Sequence, residues 1–285
     1  RRTRARVGAS FIIIFRLSML DLVEGGSTQA EVVQLAQALE QAGVTILNTG
    51  IGWHEARIPT IATKVPRAAV AWVTQQLKGK VGIPLVATNR INTPDVAEEV
   101  LASGQADMVS MARPFLADPE FVNKAAAGRA QDINTCIGCN QACLDHTFGG
   151  KITSCLVNPR ACHETILVPV PLVKKERVAV VGAGPAGLAF ATEAAQRGID
   201  VTLFDAASEI GGQFNVAKQV PGKEEFYETL RYFGQRLQQT GVTMKLGKRV
   251  DAQELVQAGF QHVVLATGIR PRLPEIEGIT HPKVL

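Results

Sequence analysis

Cysteine is scarce in this chain: five residues among 285, too few for the disulfide framework that small secreted domains depend on. Long apolar runs are missing as well, and nothing approaches the roughly 20 residues needed to cross a bilayer. Nor is there a basic stripe. The formal net charge is +4, and much of it sits on Arg1, Arg2, Arg4 and Arg6, which argues against a nucleic-acid-binding surface. Those arginines precede Phe11-Ile12-Ile13-Ile14-Phe15, but five apolar residues ended by Arg16 are too short for the core of an export signal, and no small-residue cleavage site follows. Internal repeats and low-complexity tracts are absent too. The chain does not open on methionine, and its first residues read as the end of a helix. The expectation is a soluble cytoplasmic protein with reduced thiols, about two domains long, with 46% hydrophobic residues to build their cores.

Four of the five cysteines crowd together. Cys136, Cys139 and Cys143 are followed by Cys155 in a C-x2-C-x3-C-x11-C pattern. Three sulfurs so close in sequence can cap one face of a small cluster while the fourth closes it. A zinc ribbon pairs two CxxC motifs, and that pairing is absent. The spacing favours an iron–sulfur cluster over zinc, and Cys162 is left as a non-ligand.

Before the cysteines, short apolar runs alternate with helical patterns. Strands are expected at Phe11–Leu17, Thr45–Asn48, Leu85–Thr88 and Met108–Ser110. Helices are expected at Ser27–Ala42, capped by Ser27 or Thr28, at Arg67–Leu77, at Pro94–Leu101 capped by Thr93, and from about Asp118. Four βα units imply parallel strands with right-handed crossovers. Polar signals fall at strand ends, where barrel enzymes keep their chemistry: Arg16 after the first, Asn48, Thr49, Gly50 and His54 after the second, Asn89 and Arg90 after the third, Arg113 after the fourth. Arginines after two consecutive strands resemble the phosphate site barrels build after strands seven and eight. The reading is therefore the C-terminal half of a (β/α)8 barrel, with Asp21 as an alternative partner for Arg16.

After a proline-containing linker, the strand Arg177–Val181 runs into Gly182-Ala183-Gly184-Pro185-Ala186-Gly187 and a helix to about Arg197. The strand Val201–Phe204 then ends on Asp205. Strand, glycine loop and helix together make a dinucleotide site: Gly182, Gly184 and Gly187 permit the turn and the approach of a pyrophosphate, and Asp205 can accept from ribose hydroxyls. Gly211-Gly212-Gln213 and the strand His262–Leu265, leading into Ala266-Thr267-Gly268, follow the pattern of FAD-binding two-dinucleotide flavoproteins. The expected fold class is α/β: half a TIM barrel, a Cys-rich segment, and a partial Rossmann-like domain.

Several stretches of about ten residues resemble the bacterial 2,4-dienoyl-CoA reductases, within the old yellow enzyme and trimethylamine dehydrogenase-like iron–sulfur flavoproteins. They are Phe11–Leu20, Asn48–Thr60, Met108–Asp118, Thr135–Leu144, Ser154–Glu164, Ala179–Phe190, Ser208–Asn215 and Pro221–Arg231. The resemblance implies residues 1–130 as half of an FMN-binding barrel, 131–163 as a 4Fe–4S segment, 164–176 as linker and 177–285 as an FAD domain cut before its NADPH domain. It implies electrons passing from NADPH through FAD, the cluster and FMN to an acyl-CoA thioester, in a monomeric full-length enzyme of unsaturated fatty-acid β-oxidation. By position, Arg16, Arg90 and Arg113 would contact FMN, with Ala112 at its phosphate. Cys136, Cys139, Cys143 and Cys155 would ligate the cluster. Gly182, Gly184, Gly187, Asp205, Gly212 and Gln213 would hold FAD, with Ala266, Thr267 and Gly268 crossing near it. His54 would help deliver a proton. The family's tyrosine proton donor has no counterpart, since Tyr227 and Tyr232 lie outside the barrel segment.

Two rivals stand beside this reading. One keeps the architecture but changes the substrate, as in trimethylamine dehydrogenase-like enzymes or enoate and enone reductases. The other is a non-catalytic electron-transfer or zinc-stabilised module, which colour would reveal. Residues 1–285 alone are expected to be unstable and inactive, because half a barrel leaves an open edge; soluble expression with turnover of 2,4-dienoyl-CoA would overturn this.

Overall fold

The computed structural model describes residues 1–53, 56–173, 176–270 and 272–284. They form two compact units, Arg1–Val168 with Ala217–Gln235 and Pro169–Val216 with Arg236–Leu285. Among the described residues no helix is long and apolar enough to cross a membrane.

The first unit opens on helix α1 (Arg2–Val7) and then alternates β1 (Ile14–Leu20), α2 (Gln29–Gln41), β2 (Ile46–Ile51), α3 (Ala71–Gln75), β3 (Leu85–Ala87), α4 (Pro94–Ala102) and β4 (Met108–Val109). The strands pair in parallel in the order β1-β2-β3-β4. Chain-order parallel strands with intervening helices are the repeat of a (β/α)8 barrel. Leu17 and Met19 of β1 and Leu47 of β2 pack with Val32 and Ala36 of α2, Val73 of α3, Leu77 and Leu85 in one buried cluster. The intervening positions of β1 turn to the opposite face, as the two-residue period of a strand requires.

Boundaries shift where tertiary partners outweigh local pattern. The first strand is three residues later than expected: Phe11 and Ile12 precede it, Ile14 and Phe15 begin it, all four are exposed, and among the described residues β1 pairs with β2 alone. Arg16 accordingly sits inside β1, and Asn48, Thr49 and Gly50 sit inside β2, because pairing runs on through Ser18↔Gly50 and Leu20↔Ile51. Thr49 serves the fold: its buried hydroxyl donates to Val86 O at 2.8 Å and meets the Thr74 hydroxyl. Thr28 caps α2 in a reciprocal box with Glu31, whereas Thr93 stands at the start of α4 without a side-chain cap bond. The helix expected over Arg67–Leu77 shrinks to α3, with Ala68 in the left-handed region at φ 52°. A helix from Asp118 gives way to α5 (Arg113–Ala117) and α6 (Phe121–Ala126). Asp118 is extended, and its carboxylate is occupied by Lys124 Nζ at 2.6 Å and Asn134 N at 2.8 Å.

The second unit is a parallel sheet in the order β7-β6-β5-β8, with β5 (Arg177–Val181), β6 (Asp200–Phe204), β7 (Thr243–Lys245) and β8 (His262–Leu265). Helix α8 (Pro185–Gln196) follows β5 directly. Because β6 and β8 flank β5 on opposite sides, the chain reverses direction there, and the carboxyl ends of β5 and β8 form the crevice where such sheets bind ligands. Ala179, Val180, Leu188, Ala191 and Leu203 are fully buried in this unit.

Leu47 is completely buried at the centre of the first core. Leu47→Ala is expected to lower the unfolding free energy by about 3 kcal/mol. Denaturant melts of the two proteins measure this, and a difference under about 1 kcal/mol would mean that the site collapses onto the cavity.

Candidate functional site: a thiol segment and a glycine-loop crevice

The Cys-rich segment belongs to the first unit and has little regular structure. Gly138 and Asn140 adopt left-handed conformations at φ 65° and 61°, folding the chain back so that Cys136, Cys139 and the short π-helical turn Gln141–Asp145, which carries Cys143, lie close together. Ser154 N donates to Ala142 O at 2.8 Å, which draws Cys155 to the same place. Side-chain amides fix the backbone: Asn92 Nδ2 donates to Cys136 O, Asn134 Nδ2 to Val157 O and Asn158 Nδ2 to Leu116 O, each at 2.8 Å.

Burial pushes the Cys136 thiol up, against the opposing pull of Arg113, the Gly138 N–H and Arg90. Burial likewise raises Cys139, partly offset by the Gln141 N–H, while neighbouring Cys136 and Cys143 raise it further. Cys155 is pushed up to about 11 by burial, against N–H groups of Val157 and Asn158, with Cys136 and Cys139 adding to the rise. Each of these thiols therefore receives backbone N–H groups and senses the other sulfurs. Among the described residues no group of three or more His, Cys, Asp or Glu is arranged to hold a metal ion. A single zinc needs its sulfurs about 2.3 Å from one point; a cluster takes one thiolate per iron and spreads them wider. The donor set is four soft sulfurs, the kind a cluster takes, with backbone N–H groups on three of them, Cys136, Cys139 and Cys155.

Arg90 and Arg113 both reach this segment. Arg113 donates to Ile61 O at 2.9 Å and to Asn140 Oδ1. The Arg90 guanidinium is buried, donating to Val65 O at 2.9 Å and to Glu225 Oε1 at 2.5 Å. The arginine expected at a phosphate is thus committed to a carboxylate 135 residues further on. Glu225 also accepts from Arg67 at 2.7–2.9 Å and from Asn92 at 3.1 Å. Burial alone would push its carboxyl up; Arg67 and Arg90 together hold it below the usual range. Nothing in the local sequence around Glu225 signals this role, since only the fold brings Ala217–Gln235 to the first unit.

On the open face of the first sheet, Arg16 pairs in register with Asn48. Arg16 is exposed; Asp21 is taken by Ser18 Oγ at 2.5 Å, Ser27 N at 2.8 Å and Trp53 Nε1 at 2.8 Å instead. Asn48 Oδ1 is buried without a hydrogen-bond partner, and its Nδ2 reaches Ser110 Oγ at 3.4 Å. An exposed guanidinium beside an orphaned amide oxygen fits a polar planar group such as a flavin ring. Ala112 is exposed immediately before α5. His54 lies outside the described residues.

In the second unit the glycines divide by function. A Cβ on Gly187 would stand 1.8 Å from Gly182 O, and one on Gly182, at φ 113°, would stand 2.2 Å from Ala266 O; these two allow helix, loop and β8 to meet. Gly184 faces open space, with nothing within 4 Å of a Cβ placed there, the condition for a ligand's close approach. A Cβ on Gly212 would lie 3.1 Å from Gly184 Cα, so the glycine pair abuts the loop. Asp205 is used differently from expectation: its Oδ2 accepts from Ala183 N at 2.6 Å and its Oδ1 from Ala207 N at 2.8 Å, latching the glycine loop to the end of β6. Gln213 Nε2 donates to Ile269 O at 2.9 Å, just past Ala266-Thr267-Gly268.

Residues 1–132 match the NADH:flavin oxidoreductase / NADH oxidase family, and residues 176–284 match the pyridine nucleotide-disulphide oxidoreductases. The chain is 41% identical over 277 residues to a metal reductase of Desulforamulus reducens, covering 96% of this chain and 42% of that protein. It is 35% identical over 282 residues to an NADH oxidase of Thermoanaerobacter brockii, covering 98% and 43%. Its fold is similar to that of a 2-naphthoyl-CoA reductase in complex with 2-naphthoyl-CoA, with a TM-score of 0.93 at 34% identity, covering 98% of this chain and 43% of the other. The chain thus spans less than half the length of these relatives.

Cys162 is the exposed cysteine and the other four are buried or half-buried. Only thiolates alkylate. In metal-free protein at pH 8, iodoacetamide is expected to label Cys162 first and Cys155 only as the pH climbs toward 11, in keeping with its raised value. Peptide mass spectrometry at graded pH reads this; early labelling of Cys155 at pH 8 would show its thiol to be unshielded.

Proposed function

We propose that this chain, whose residues 1–132 match the NADH:flavin oxidoreductase / NADH oxidase family and whose residues 176–284 match the pyridine nucleotide-disulphide oxidoreductases, is the central part of an enzyme that reduces conjugated acyl-CoA thioesters, 2,4-dienoyl-CoA foremost, with NADPH. Supporting the substrate class is the likeness, over 98% of the chain, to a reductase solved with an aromatic acyl-CoA.

The residues divide the work. Cys136, Cys139, Cys143 and Cys155 would hold a 4Fe–4S cluster, with the N–H groups at Cys136, Cys139 and Cys155 offsetting thiolate charge. Arg16 and Asn48 would hold a flavin ring on the open face of the first sheet, with Ala112 and Arg113 near its phosphate. Gly182, Gly184 and Gly187 would admit the FAD pyrophosphate at the start of α8, and Gly212, Gln213, Ala266, Thr267 and Gly268 would border it. When bound, the flavins supply hydride chemistry and the cluster supplies single-electron transfer, so a two-electron donor and a two-electron acceptor can be joined by a one-electron relay. Reduction of a conjugated thioester also needs a proton donor beside the chain. His54, next to Trp53 in the sequence, is our candidate.

NADPH-dependent loss of 2,4-dienoyl-CoA absorbance, with anaerobically purified protein from the longest reading frame containing this chain, tests the reading. Turnover is expected, falling at least 10-fold in His54→Ala. Flavin reduction by NADPH without reoxidation by 2,4-dienoyl-CoA would refute the dienoyl assignment, and reoxidation by 2-naphthoyl-CoA or an enoate instead would name the class that replaces it.

A further inference from the structure

The Glu225 network has a consequence for the thiol segment beyond holding the chain together. Glu225 lies in a stretch that sequence order places between two parts of the second unit, yet Ala217–Gln235 packs in the first. Its carboxylate and the Arg90 guanidinium are 6% and 2% exposed. From Glu225 Oε2 the path to the thiols is two hydrogen bonds: Asn92 Nδ2 donates to that oxygen at 3.1 Å and to Cys136 O at 2.8 Å. From Oε1 the path is through Arg90, whose Nη1 would stand 3.1 Å from a Cβ on Gly138, between Cys136 and Cys139. Arg231, in the helix Phe226–Thr240 that begins just after Glu225, donates to Ile133 O at 2.7 Å and to Thr135 Oγ1 at 3.1 Å, just ahead of Cys136. The segment therefore places one carboxylate against Arg90, which borders the thiols, and fastens the chain on the other side.

We infer that Glu225 is a positioning residue that sets the reduction potential of the centre held at Cys136, by neutralising Arg90 beside it, while Arg67 draws off part of the same carboxylate charge. This rests on the proposed cluster. Reduction adds one electron and no proton, so the centre becomes more negative by one charge, and a nearby uncompensated cation stabilises the reduced form. Net charge and hydrogen bonding near the sulfurs are levers on such potentials, and screening is weak where the charges are buried. Glu225 lowers the potential; Arg67 and Arg90 raise it.

The test is a dithionite titration of the anaerobically purified full-length protein, followed by electron paramagnetic resonance of the reduced cluster. Glu225→Gln is expected to shift the midpoint to more positive potential. Arg67→Met, which removes a half-buried cation and leaves Glu225 with Arg90, is expected to shift it the opposite way. Glu228→Gln, facing Arg67 and Arg231 but not Arg90, is expected to shift it less than Glu225→Gln. Loosened packing would not give opposite signs for the two partners. If Glu225→Gln fails to fold, a negative shift in Arg67→Met still carries the inference. An unchanged midpoint in Arg67→Met, or shifts of the same sign in both, overturns it while the cluster stands. Wild-type protein with neither iron nor acid-labile sulfide would remove the cluster reading itself, and the inference with it.

Discussion

Two buried charges of opposite sign organise the first unit. Arg90 and Glu225 meet at 2.5 Å with almost no exposure, and their burial is costly unless every remaining lone pair and N–H finds a partner. Here Val65 O takes the Arg90 Nε, and Glu225 accepts further from Arg67 and Asn92, while Asn92 Oδ1 stays buried without a partner. Such a pair is weak evidence of net stability, but removal of one partner leaves a stranded charge that costs about 3–5 kcal/mol. What it supplies is a fixed geometry. Four stretches of chain, around Val65, Arg90, Cys136 and Glu225, can satisfy their polar groups together only in this arrangement.

The thiol segment shows the complementary constraint. It has almost no secondary structure to hold it, so its order comes from amides that reach across from ordered elements, Asn92, Asn134 and Asn158, and from two left-handed residues that bend the chain. The same bends aim backbone N–H groups at sulfur. A low-dielectric pocket raises the thiols and so resists ionisation by itself; a bound metal centre reverses that balance by supplying positive charge. One environment, burial opposed by backbone N–H groups, thus sets the state of the free thiols.

The two proposed nucleotide sites differ in how much of them is backbone. In the second unit the crevice is made by glycines, and Asp205 braces the loop through Ala183 N. In the first, the face between β1 and β2 is made by side chains, Arg16 exposed and Asn48 with an unused oxygen. Backbone sites follow from short motifs. Side-chain sites need register, and the register of β1 against β2 carries a shift between Ser18 and Leu20 that no local pattern announces.

Much was legible from residue order alone. Strands β5 and β8, the helix after the glycine loop and four parallel βα units all follow from periodicity and glycine spacing, which act within a few residues of chain. Other features were settled by contacts between distant segments: the displaced start of β1, the shortening of α3, the use of Asp21 for Trp53 and of Asp205 for the glycine loop, and above all the pairing of Arg90 with Glu225. Each turns on which partner reaches a polar group first once the chain is folded. Local sequence specifies a group's needs, and only the tertiary structure decides who meets them, because a buried charge takes its partner from wherever packing delivers one.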